Sequence, residues 1–483
     1  VYIEEVVTPL ASTSGLPPTL VAIVGPAVGY RSGSEQFTLA TSPAWRFAKK
    51  GLDGATLVIT RVDTGAVVVS SDYVVTTTSS PSTNQDYYTD ITRAGGGTLS
   101  GDTPVFATYH YAEPTYYDPT RYSSYEDVKD AYGEPLNLTP PSLGQVGYKG
   151  VTSPLSLAAK IAFENGSGEL VLCATTPPGS GATTSGAIST ARKTALSAAY
   201  AKVATDYSVS VVVPLTDDVI AADAAGVGVD LSTHLTAASA DGYFRTGMLG
   251  FDAGVGTTPD TLVSGGGFRS KRLALVYAGS QGMSYYNGGS LQYLSLGHQY
   301  LAAALAGRAA ALPVQKALTR ELVRSFTGLS GTAPSTSAKN QYAAAGVLLV
   351  EVDRAGQLVV RHSLTTDTTS INTKELSVVR ARDALVALCE TGLNNSGLIG
   401  QPIDTTTTLT VKSVVSGLLE HAVIVGTIVG YTGLAVRQRS IDPSVVEVKF
   451  AYQPAYPLNY LVVSFSINVA TGTTEDLSAT VAA

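Results

Sequence analysis

The sequence predicts a multidomain α/β (α+β) protein whose core is interrupted by an inserted all-β domain and flanked by extended strand arms at both ends. Three observations carry this. Apolar runs of buried-strand type alternate with amphipathic helical segments through much of the chain. Between residues 31 and 113 that rhythm gives way to short period-two segments separated by turn residues. At each end a β-rich run is cut off from its surroundings by prolines or other breakers.

The first run, Val1-Tyr2-Ile3-Glu4-Glu5-Val6-Val7, is followed by Thr8-Pro9 and breakers from Ser12 to Pro18, which leaves it without a hairpin partner nearby. Residues 19–27 form a continuous apolar run ended by Gly25-Pro26, as a fully buried strand requires. Alternating segments at 55–62, 66–75, 87–92 and 105–111 then read as the β insertion. A serine cap at 123–124 opens a helix with Val128 and Tyr132 on one face, stopped by Gly133.

A helix over 153–164 closes at Asn165-Gly166, and strand 169–175, helix 189–204, strand 209–215 and strand 273–277 continue the α/β alternation. Helices are predicted over 291–312 and 314–329, a strand pair over 345–353 and 357–362, and a helix over 375–393 with Leu376, Val379, Leu385, Leu388 and Cys389 largely on one face. Residues 404–410 read as a polar link. Two last β-rich runs, 445–452 and 458–469, are separated by Gln453-Pro454-Ala455-Tyr456-Pro457, whose prolines favour an extended crossing, so the final strand also stands apart. A strand without a partner exposes a row of N–H and C=O groups, which pair either within the subunit or with another chain's sheet.

Composition narrows the function. Of 483 residues, 44% are hydrophobic and 14% charged, against about 25% charged in an ordinary globular protein. Much of the outer surface must therefore be Ser, Thr, Gly and Tyr, which suits a subunit covered by other subunits. A formal charge of −7 with no basic block excludes direct nucleic-acid binding, because neutralising phosphates takes clustered Lys and Arg. The stretch 414–436 is too interrupted, by Glu420, His421 and several glycines, to insert in a membrane, and no secretory signal is read. Cys173 and Cys389 each sit in an apolar run and read as buried free thiols.

No catalytic, cofactor or metal site is expected. The best enzymatic candidate is Ser280 in Ala278-Gly279-Ser280-Gln281-Gly282, which follows a strand as a nucleophile elbow would. However, the first glycine is missing and residues 283–289 are a poor helix start. Its base would have to come from His298, His362 or His421. The five histidines, His110 and His234 included, are scattered without zinc-ligand spacing. Gly265-Gly266-Gly267-Phe268-Arg269-Ser270-Lys271-Arg272 has glycines without the phosphate-loop spacing and reads as a mobile basic loop.

Several of these segments, in this order, resemble the contractile-tail sheath proteins of bacteriophages and related contractile injection systems. Val1-Tyr2-Ile3-Glu4-Glu5-Val6 is similar to that family's opening arm, and Val21-Ala22-Ile23-Val24-Gly25-Pro26-Ala27 to the strand after it. Residues 123–133 resemble its Ser-x-x-(Asp/Glu)-Phe-x-x-x-(Phe/Tyr)-Gly helix, and 155–173, with Phe163-Glu164-Asn165-Gly166, its next helix and strand. Residues 344–382, with Asn372 and Val378-Val379-Arg380-Ala381-Arg382, resemble the core that ends in an arginine-bearing helix. Alanines replace the family's proline-rich sequence around 301–312.

The resemblance implies a non-enzymatic, cofactor-free structural subunit that polymerises helically around an inner tube and contracts to drive the tube through a host envelope. Expected domains are a strand arm at 1–18, core lobes at 19–30 plus 114–370, an outward-facing insertion at 31–113, and a tube-proximal domain at 371–483 ending in an arm at 454–483. Strand exchange between subunits would use Tyr2, Ile3, Val6 and Val7, and Leu458, Leu461, Val463, Phe465 and Ile467. Val446, Val448 and Phe450 would lie in the receiving sheet, with the neighbouring prolines as hinges. Arg380 and Arg382 are candidate tube contacts, with salt bridges inside the subunit as the open alternative. Implied partners are further copies in hexameric rings, a tail tube protein, and baseplate and tail terminator proteins, in a virion tail assembled in the bacterial cytoplasm. A tail tube or capsid subunit would share the assembly logic, and an α/β hydrolase using Ser280 is the third reading.

Overall fold

The computed structural model describes residues 19–27, 31–49, 52–78, 88–111, 116–133, 135, 153–176, 185–215, 221–251, 258–264, 269–279, 282–287, 292–468 and 474–482. The amino-terminal arm, with Tyr2, Ile3, Val6 and Val7, lies outside the described residues. Strand β1 (Leu20–Pro26) is buried along its whole length. Its unbroken apolar sequence suits a strand covered on both faces.

The insertion comprises β2 (Arg31–Leu39), β3 (Trp45–Arg46), β4 (Leu52–Arg61), β5 (Tyr73–Thr78), β6 (Tyr88–Arg93) and β7 (Thr103–Tyr111). They form two antiparallel three-stranded sheets, ordered β2-β7-β4 and β3-β6-β5. In β7, Val105, Ala107 and Tyr109 are buried while Phe106 between them is exposed, the alternation expected of a sheet with one wet face. Phe37, Leu39, Phe47, Ile59, Ile91, Val105 and Tyr109 build a hydrophobic cluster of the insertion's own.

The chain continues through β8 (Thr120–Tyr122), α1 (Tyr125–Tyr132), α2 (Pro154–Glu164), β9 (Leu170–Thr175), α3 (Ser185–Val203), β10 (Val209–Pro214) and α4 (Ala221–Ala240). Next come β11 (Thr246–Gly250), α5 (Pro259–Ser264), β12 (Leu273–Tyr277), β13 (Met283–Asn287), β14 (Gln292–Leu296), α6 (His298–Ala311), β15 (Phe326–Leu329), α7 (Thr336–Ala345), β16 (Val347–Val352) and β17 (Leu358–Val360). One sheet holds β17-β16-β12-β11-β10-β1-β9-β8 in that order. Its six inner strands are parallel, and β17 and β8 run antiparallel at the edges. Val21 and Ile23 pack with Leu157, Ile161, Leu301 and Leu305 on the face of α2 and α6. Leu20, Ala22 and Val24 pack with Leu196, Tyr200, Leu231 and Leu235 on the face of α3 and α4.

Local signals account for the helix ends. The Asp127 backbone N–H donates to the Ser124 hydroxyl, and Gly133 stops α1 at φ 82°. Ser153 caps α2 with Pro154 in its first turn, and Asn165 closes it.

Four readings are corrected. The helix expected over 291–312 starts only at His298, because 292–296 pair with β13 as a strand. Residues 314–329 form no helix: Arg320 and Ser325 have positive φ, 326–329 pair with β13 as a strand, and the residues before them bond to β17. The Arg320 and Val323 amides donate to Val360 and Leu358, and the Val360 amide donates to Glu321. Residues 404–410 do not link but open a helix, because the Asp404 carboxylate accepts the Thr407 N–H at 2.7 Å. Arg272 does not belong to a mobile basic loop; it is buried and ion-paired with Asp383.

Candidate assembly interface

After α8 (Ile371–Lys374) come α9 (Leu376–Asn395), α10 (Thr405–Ile424), β18 (Ile428–Gln438) and β19 (Val446–Pro454). The apolar stretch at 414–436 is thus split between a helix and a strand, with Gly426 at φ 76° in the turn. No helix among the described residues is long and apolar enough to cross a membrane. Leu385, Leu388 and Cys389 of α9 meet Val411, Val415 and Leu419 of α10, Ile428 of β18 and Phe450 of β19 in one cluster. The antiparallel pair β18–β19 therefore lies on the two helices. Val446 and Val448, half-buried, pack against this cluster in register with Gln438 and Val436. Neither strand has a further sheet neighbour among the described residues.

The same pair carries a charge cluster on Glu447, which accepts from Arg437 Nε at 3.0 Å and from Arg439 Nε at 3.2 Å, with Lys449 Nζ at 3.5 Å. These donors hold its carboxyl below the usual range, against a smaller opposing effect of desolvation. At the apex of the hairpin Ile441 is 93% exposed.

The last elements are β20 (Tyr460–Asn468) and β21 (Thr474–Ala482), an antiparallel hairpin that forms a separate two-stranded sheet. This corrects the expectation that the final strand lacks a partner. Leu461, Val463, Phe465 and Ile467 pair in register with Val481, Ala479, Leu477 and Glu475. Leu458 precedes the strand, exposed in the connection from β19. That connection is tied to the subunit: Tyr456 Oη donates to Asn372 Oδ1 at 2.6 Å, Asn459 Nδ2 to Glu375 Oε1 at 2.7 Å, and Thr319 Oγ1 to Asn459 Oδ1 at 3.1 Å. Glu375 is buried, and desolvation raises its pKa against the opposing effects of Asn459 and Lys374.

The candidate tube contacts separate. Arg380 is turned into the subunit, where it donates to Ala309 O at 2.8 Å at the carboxy end of α6, a favourable place for a cation. Burial lowers its pKa to about 10. Arg382 is partly exposed and lies beside Asp383.

Ser280 lies outside the described residues, but the next element after β12 is strand β13, so the strand-turn-helix of a nucleophile elbow is not formed. Among the described residues no group of three or more His, Cys, Asp or Glu could hold a metal ion.

An α/β core is thus followed by a two-stranded sheet with open edges among the described residues and by a separate hairpin. Its sequence is 30% identical to the tail sheath protein of Mycobacterium phage Bxz1 over 447 residues, covering 90% of this chain and 71% of that one. The chain belongs to the tail sheath protein family, whose role is structural. Solved structures share the fold. The contracted anti-feeding prophage baseplate matches at a TM-score of 0.57 and 12% identity, over 97% of this chain and 98% of its own. The contracted PVC sheath complex of an extracellular contractile injection system matches at 0.52 and 14%, over 74% and 88%. The contracted anti-feeding prophage helical sheath matches at 0.51 and 15%, over 72% and 87%. No family model matches the chain.

Proposed function

We propose that this chain is the subunit of a contractile tail sheath, which polymerises helically around an inner tube by strand exchange and contracts to drive the tube through a host envelope. The observation that supports it is the pairing, in one terminal module, of an edge-open sheet, β18–β19, with a separate hairpin, β20–β21. Subunits related by a screw operation meet through unlike surfaces, and such contacts propagate into filaments. Sliding during contraction needs tethers that survive while flat surfaces repack. A donated strand of nine residues offers about four or five backbone hydrogen bonds, at ~0.5–1.5 kcal/mol net each. Many such links sum by multivalency.

On this reading Leu461, Val463, Phe465 and Ile467, together with Tyr2, Ile3, Val6 and Val7, enter a neighbour's sheet beside Val446, Val448 and Phe450. The insertion at 31–113 faces outward and residues 371–483 face the tube. The partners are copies in hexameric rings, the tube, the baseplate and a tail terminator, in a virion tail assembled in the bacterial cytoplasm. The deciding experiment is negative-stain microscopy of the parent and of chains lacking 1–7 or 460–483. Both truncations should keep the core's cooperative melting and lose ordered sheaths. Contractile sheaths formed by either would refute its arm.

A further inference from the structure

We propose that Thr319, Asn372 and Glu375 form a docking surface for residues 455–459 of their own chain, so that the carboxy-terminal arm pivots at the junction of Asn459 and Tyr460 and not at Pro454 or Pro457. The proposal deepens the strand-exchange reading and rests on it. The connection from β19 to β20 is held at two points. Tyr456 donates to Asn372, and Asn459 uses both ends of its amide, donating to Glu375 and accepting from Thr319.

Between these points Leu458 is 73% exposed, so polar contacts and not apolar burial hold the segment. Glu375 is 3% exposed, and releasing the segment would take the Asn459 donor from a carboxylate that water hardly reaches. A buried acceptor stripped of its donor bears its full desolvation penalty, which favours the closed clasp.

The clasp sets reach. A nine-residue strand spans about 30 Å beyond Asn459. A pivot at Pro454 would add the five residues 455–459, about 17 Å, and bring more distant neighbours into range. The prolines then stiffen a fixed strap, consistent with the restricted φ of proline.

The test uses the full chain with Thr319→Cys and Asn459→Cys, in a background where Cys173 and Cys389 are buried. Oxidation should link the new cysteines, as peptide mass mapping reports. The reduced variant, which lacks the Asn459 contacts and keeps only Tyr456 on Asn372, should lose uniform helical order in negative stain, and oxidation should restore it. Three results overturn the proposal: no cross-link, a reduced variant as ordered as the parent, or an oxidised variant that no longer polymerises. Failure of strand exchange itself reads out separately, as ordered sheaths from a chain lacking 460–483.

Discussion

Arg272, at the head of β12, and Asp383 of α9 form a two-point ion pair, Nη1 to Oδ2 at 2.7 Å and Nη2 to Oδ1 at 3.2 Å, with both side chains almost fully buried. The guanidinium also donates to Arg245 O and lies over the Phe244 ring. One pair thus joins the parallel sheet to the helix that carries the terminal module.

Removing one partner strands the other charge out of water. Asp383→Ala should cost about 3–5 kcal/mol, measured by urea unfolding. Replacing both residues with apolar ones of similar size should recover most of that loss, since the penalty arises from the unpaired charge.

Asn165 is the second fastening. Its amide nitrogen donates to Ile161 O at 2.9 Å and to Arg324 O at 3.4 Å, and its oxygen accepts the Arg324 N–H at 2.9 Å. It pins the irregular segment before β15 to the end of α2. Asn165→Ala should destabilise the fold by about 2–3 kcal/mol, read as a lower urea midpoint.

Helices α2 and α6 meet without room for a methyl group at Gly307, where a Cβ would come 2.3 Å from Ala162 O. The obstacle is backbone and cannot rotate away. Gly307→Ala should cost about 1–3 kcal/mol through overpacking, despite alanine's better helix propensity, as a drop in melting temperature would show.

Burial lowers His298 and His362 to about 4; the Phe251 carbonyl opposes the shift at His298, and Arg361 and Lys374 reinforce it at His362 against Glu351. Both are neutral in the fold, so the unfolded chain takes up protons first as pH falls. Their contribution is intact above about pH 6.5 and is lost on acidification toward pH 4, at up to about 1.4 kcal/mol per histidine per pH unit. Unfolding midpoints at about pH 7 and about pH 5 should differ accordingly, and His362→Asn should flatten the dependence.

Cys173 and Cys389 are buried free thiols whose pKa burial raises to about 12 and about 11. A thiol reagent at neutral pH should label neither in the native protein and both in denaturant, because the thiolate is the reactive form. Rapid native labelling would contradict this packing.

Neighbours along the chain decide part of this architecture. Ser124 and Gly133 bound α1, Ser153 and Asn165 bound α2, the unbroken run at 20–26 marks a buried strand, and alternation from β4 to β7 marks the insertion. Capping and periodicity act within a few residues, so they are legible without a fold. The rest depends on contacts between distant segments. The Ala- and Gly-bearing helix α4 and the short β11 carry only weak local patterns, and residues 314–329 look helical until β17 and β13 claim their backbone. Of the candidate interface, β19 and β20 were legible as strands. Their partners β18 and β21, the burial of Arg380 against Ala309, and the clasp on Asn459 were not. Each joins residues distant in sequence or a strand to its mate, and a hydrogen bond or an ion pair of that kind leaves no period in the chain that makes it.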